Sequence, residues 1–101
     1  MGETVSTALT AKLQVGTQVS VGNGSATQLQ ATSPTILAKQ GVLVQALSTN
    51  TVSIWVGGSD VTNTKGIELA AGQSIMVPTS DPSRLYVYTT TTSQKANYAW
   101  I

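Results

Sequence analysis

The chain has 101 residues, no Cys and no His, and only nine charged side chains, which leave a formal net charge of +1. Without Cys there is neither a disulfide nor a thiolate. Without His the commonest general base and zinc ligand is missing, and nine scattered charges give no basic footprint for nucleic acid. The apolar runs are far shorter than the ~20 residues that cross a bilayer, and no basic-then-apolar leader opens the chain, so a soluble product of a cytoplasm is expected.

Residues 1–12 are small, polar and weakly periodic and read as an arm, with Val5, Leu9 and the adjoining Leu13 as its apolar contacts. Leu13, Val15, Val19 and Val21 share parity across Gly16, which predicts a first strand bent at that glycine. Gly22-Asn23-Gly24-Ser25 is a turn signal. Gln28-Leu29-Gln30 allows a short strand, and Ser33-Pro34 forces an extended or turn conformation. Residues 42–47 alternate clearly, with Val42, Val44 and Ala46 on one face and Leu43, Gln45 and Leu47 on the other. Ser48-Thr49-Asn50-Thr51 has the length of a tight connection, so residues 52–56 are expected to pair back on residues 42–47.

Gly57-Gly58 then breaks the strand, and a positive-φ corner is the expected reason. Residues 57–65 form a polar loop, Ile67-Glu68-Leu69 a short strand, and Ala70-Ala71-Gly72-Gln73 a turn into Ser74-Ile75-Met76-Val77. Two prolines mark a turn over residues 78–83. Leu85-Tyr86-Val87-Tyr88 is a strand, the threonine run 89–92 is expected at a hairpin tip, and residues 96–101 close the chain. Seven or eight short strands at this spacing predict an all-β antiparallel sandwich or barrel in one domain over residues 13–101.

Few residues carry chemistry. Ser and Thr abound, but a hydroxyl nucleophile needs a neighbouring base, and none of the lysines lies in a recognisable Ser–Lys motif. Asp60, among Ser59, Thr62 and Asn63, lacks the several carboxylates of a calcium loop and is better explained as capping its own turn. Gly57-Gly58-Ser59 lacks the lysine and helix of a phosphate loop. No enzyme activity, metal or cofactor is expected. The five aromatics are Trp55, Tyr86, Tyr88, Tyr98 and Trp100. Each opposes an aliphatic face of its strand, so if the aliphatic sides form the core, the aromatics lie outside as partner or sugar contacts. The competing expectation is that some of them, Trp100 first, fill the rim of the core. Low charge also favours association over a free monomer.

The run Thr51-Val52-Ser53-Ile54-Trp55-Val56-Gly57-Gly58-Ser59-Asp60-Val61-Thr62, continued by Gly66-Ile67-Glu68-Leu69-Ala70-Ala71-Gly72-Gln73-Ser74-Ile75, resembles small virion proteins of tailed bacteriophages, as does Leu85-Tyr86-Val87. The resemblance covers about residues 41–101. It implies a β-sandwich or jelly-roll-like barrel, often trimeric, that decorates or cements a capsid. On that resemblance the expected partners are the major capsid protein and further copies of the chain, with no nucleic acid and no membrane, and the location is the capsid surface. The alternative is a carbohydrate- or receptor-binding module of a tail fibre or baseplate.

Overall fold

The computed structural model describes residues 13–101, and in it the alternating segments pair into two antiparallel sheets. The strands are β1 (Gln14–Val15), β2 (Val19–Ser20), β3 (Thr27–Gln28), β4 (Val42–Ala46), β5 (Ile54–Gly57), β6 (Ile67–Leu69), β7 (Ser74–Val77), β8 (Tyr86–Thr89) and β9 (Lys95–Trp100), with a 3-10 turn at Pro82–Arg84. Sheet I runs β1-β9-β4-β7, with β2 following β1 along the same edge of β9; sheet II runs β3-β8-β5-β6. With β1 and β2 taken as one interrupted edge strand, successive strands alternate between the sheets, and only β5–β6 is a hairpin. That interleaving is the strand order of a double-sheet jelly roll.

The core lies between the sheets. Val42, Val44 and Ala46 of β4, with Ala96, Tyr98 and Trp100 beside them on β9, face Ile54 and Val56 of β5 and Val87 of β8, all buried. Burying one such aliphatic side chain contributes about 1.5–3 kcal/mol. Among the described residues no buried side-chain nitrogen or oxygen lacks a hydrogen-bond partner.

The first strand is broken at Gly16 as expected, but its faces change there. Val15 lies opposite Ala99 and Val19 opposite Ala96, so the edge strand takes four steps while β9 takes three. The extra residue is a bulge that reverses the inward parity. Val15 therefore faces solvent, whereas Val19 packs on the core and Val21 is buried. Gly16 donates its N–H to the Tyr98 carbonyl at 3.0 Å. A Cβ on Gly16 would stand 1.9 Å from the Tyr98 ring, so glycine here makes room for an aromatic ring.

Two expected hairpins are corrected. Residues 52–56 do not pair with residues 42–47, since β4 lies in sheet I between β9 and β7 and β5 lies in sheet II between β8 and β6. The threonine run is likewise a crossing between sheets, from β8 to β9. Both crossings are held by one buried polar cluster. Asn50 accepts from the Lys95 N–H and donates to the Lys95 carbonyl, both at 2.9 Å, as a strand neighbour would. Gln94, 1% exposed, accepts from the N–H groups of Thr51 and Val52 and donates to Thr51 Oγ1 and the Thr92 carbonyl. All four of its hydrogen-bonding positions are used.

The expectation of positive φ at Gly57-Gly58 is also corrected. Among the described glycines only Gly24, Gly41 and Gly72 have positive φ. Val61, 2% exposed, folds back over the hairpin: a Cβ on Gly57 would lie 3.0 Å from Val61 Cγ2, and one on Gly66 only 2.7 Å from it. The glycines admit that valine.

Candidate functional site

The outer face of sheet I is apolar at one end. Register places Val15, Ala99, Leu43 and Met76 side by side across four strands. Val15 is 69% exposed, Met76 53% and Leu43 38%, and the exposed Leu13 and Ile101 flank the row. Two shallow depressions lie along it. One, of about 320 Å³, is lined by Val15, Leu43, Gln45, Asn97, Tyr98 and Ala99. The other, of about 200 Å³, is lined by Leu13, Leu43, Met76, Trp100 and Ile101 with Gln40, Gly41 and Ala99. Among the described residues no charged side chain lines either. One row further along, Asn97, Gln45 and Ser74 make the face polar, and Gln18 donates to Asn97 Oδ1 at 3.4 Å.

The outer face of sheet II carries Trp55 and Tyr88, directly opposed across β5 and β8, with ring centroids 6.5 Å apart at 70°. This edge-to-face pairing adds about 0.5–1.5 kcal/mol beyond the area it covers. Tyr86 lies on the same face opposite Gly57, and all three aromatics are half-buried. Glu68 flanks Trp55 from β6 and accepts from Ser53 Oγ at 2.6 Å.

The structure thus separates the five aromatics expected on an outer face. Trp55, Tyr86 and Tyr88 lie there. Tyr98 and Trp100 do not: they are 4% and 6% exposed, stacked with centroids 5.9 Å apart and ring planes nearly parallel, and point into the core, while Ala99 and Ile101 point out. The larger rings bury more apolar area than Ala99 and Ile101 could, and each finds a partner for its polar atom. Tyr98 Oη donates to Gln30 Oε1 at 2.9 Å, and Trp100 Nε1 donates to the Ile36 carbonyl at 2.8 Å. Burial raises the Tyr98 phenol above its ordinary value. Of the arm contacts, Leu13 joins the apolar patch; Val5 and Leu9, with the rest of residues 1–12, lie outside the described residues.

At one end of sheet II the β3–β4, β5–β6 and β7–β8 connections converge around a third feature, a cleft of about 380 Å³ lined by Ser33, Ser59, Asp81, Ser83, Arg84 and Tyr86. Asp81 caps the 3-10 turn, accepting from the Ser83 N–H at 2.9 Å and from Ser83 Oγ at 2.7 Å, and it takes a further bond from Ser33 Oγ at 2.5 Å. The Ser33 and Ser83 hydroxyls hold its carboxyl below the ordinary carboxylate value. The turn expected over residues 78–83 is present with Asp81 capping it, whereas the serines are not legible in the sequence because they meet only in three dimensions. Asp60 forms an exposed ion pair with Lys65, and among the described residues no three carboxylate, His or Cys side chains cluster as metal ligands.

No protein-family model, curated protein or solved structure matches the chain.

Proposed function

We propose that this chain is a structural protein of a tailed-bacteriophage particle, which binds the outer surface of the capsid and reinforces it as a homo-oligomer, with a trimer favoured. The apolar row Val15–Ala99–Leu43–Met76 carries the reading. A contiguous exposed apolar row without charge marks a protein contact, and a jelly roll presents it on a broad, rigid face. The resemblance of residues 51–75 to small virion proteins supports the same reading, and so does the low charge, which favours association. A subunit that binds only the assembled shell stabilises it by its binding free energy.

The test is co-sedimentation with heads of the phage that encodes the chain. Leu43→Glu with Met76→Lys changes two solvent-facing side chains and sets opposite charges across β4 and β7, so the variant is expected to keep its melting temperature while losing both head binding and self-association. If the doubly substituted protein pellets with heads as the parent does, the row is not the capsid contact.

A further inference from the structure

The cleft where three connections meet is independent of the apolar face and plays no part in the reading above. We propose that it is a saccharide site, which takes one neutral hexopyranose ring of a surface glycan.

The chemistry of the lining carries the assignment. A pyranose has hydroxyls that both donate and accept, set around a ring whose C–H faces are apolar, so its site needs fixed donors, fixed acceptors and an aromatic wall. Asp81 supplies the acceptor. It is buried and immobilised by three hydrogen bonds, and Oδ2, bonded only to Ser33, keeps one acceptor position open. Arg84 supplies the donor. Its side chain is exposed at the mouth of the cleft and forms no ion pair among the described residues. Ser59 adds a hydroxyl that can act either way, Ser33 and Ser83, whose protons go to Asp81, add acceptor lone pairs, and half-buried Tyr86 supplies the aromatic wall.

The carboxylate side of the cleft is held in place before any ligand arrives. Ser33 and Ser83 reach the carboxylate from separate connections, and Gln28 Nε2 fixes the turn by donating to the Ser83 carbonyl at 2.7 Å. Pre-ordered groups spare a ligand the entropy of ordering them. The volume, about 380 Å³, falls within the roughly 300–1,000 Å³ of small-molecule sites. One carboxylate and one guanidinium balance the local charge, which suits a neutral sugar better than an anion.

Amide chemical shifts of the full chain, titrated separately with glucose, galactose, mannose and N-acetylglucosamine to about 50 mM, test the assignment at a Kd on the order of 1 mM. At least one sugar is expected to give saturable shifts at Ser33, Ser59, Arg84 and Tyr86. Arg84→Gln, an exposed change, and Tyr86→Ala are each expected to weaken that binding by about tenfold, 1.4 kcal/mol, with a dispersed spectrum retained. The assignment fails if none of the four sugars saturates, or if Arg84→Gln binds as the parent does. It also fails if the shifts centre on Trp55 and Tyr88, or if acetate alone reproduces them at the cleft.

Discussion

Val61 and Gly66 show how a single side chain explains a loop. Val61 is buried outside the main core, pressed on two glycines whose missing Cβ atoms leave it room. Gly66→Ala would set a methyl 2.7 Å from Val61 Cγ2 and 3.2 Å from Trp55 Cβ, overpacking that is expected to cost about 1–3 kcal/mol. Val61→Ala is expected to cost a similar ~1–3 kcal/mol through the void it leaves. Combined, the two changes fill the same space, so urea unfolding should show the pair less destabilised than the sum of the singles. Strict additivity would mean that the two side chains do not meet. The sequence displays these glycines plainly but not their purpose. A glycine needed for positive φ and one needed for close approach look the same until the neighbour is known. The same ambiguity hid Gly16, which only the inward Tyr98 ring explains.

At the level of strands, alternation made nearly every element legible: Val42-Leu43-Val44-Gln45-Ala46 and Ile54-Trp55-Val56 fall where their period places them. Partnership was not legible, because a short connection serves equally for a hairpin or for a crossing between packed sheets. What decides is Gln94, a polar residue in an unremarkable run, whose amide ties residues 51 and 52 to the start of β9. Gln94→Leu keeps the volume but strands the N–H groups of Thr51 and Val52, an expected loss of about 2–4 kcal/mol in chemical denaturation. Gln94→Glu restores the acceptor yet turns carboxylate oxygen on the Thr92 carbonyl and removes both donors, so it should recover only part of the loss. Equal stability of the leucine variant and the parent would show that the crossing is held by packing alone. Face assignment at β9 stayed open between the two sides for a related reason, and the buried Trp100 matches the competing expectation. The alternation of residues 96–101 is unambiguous, but which side faces inward depends on β4 and on Gly16, which lie far away in the chain. The serine–aspartate cleft was equally hidden, since its residues come from three connections that only the jelly-roll order brings together.

Across the whole molecule, stability against acid depends on the end where those connections meet. Ser33 lies on the β3–β4 connection, and Asp81 and Ser83 lie on the β7–β8 connection, so the carboxylate joins segments about fifty residues apart in sequence. The Ser33 hydroxyl first, and then Ser83, lower the Asp81 pKa below its ordinary 3.8 in the folded chain. The unfolded chain therefore takes up a proton at a higher pH than the folded one. The stabilisation is complete above the unfolded value and is lost as pH falls through the folded one. Asp60, lowered by its hydrogen bond from Lys65, adds in the same direction, but its pair closes only one exposed loop. At the alkaline end Tyr98 acts with opposite sign: burial raises its folded pKa, so the unfolded phenol ionises first and stability falls as pH rises past about 10. The melting temperature is thus expected to hold level from neutral pH to about pH 5 and to drop below about pH 4. Ser33→Ala should melt lower than the parent at neutral pH and fall less steeply in acid, so that the two curves converge at low pH. Lys65→Gln should leave most of the acid limb in place. Melting curves of Ser33→Ala and parent that stay parallel from neutral pH into acid would show that the Ser33–Asp81 bond does not couple these connections.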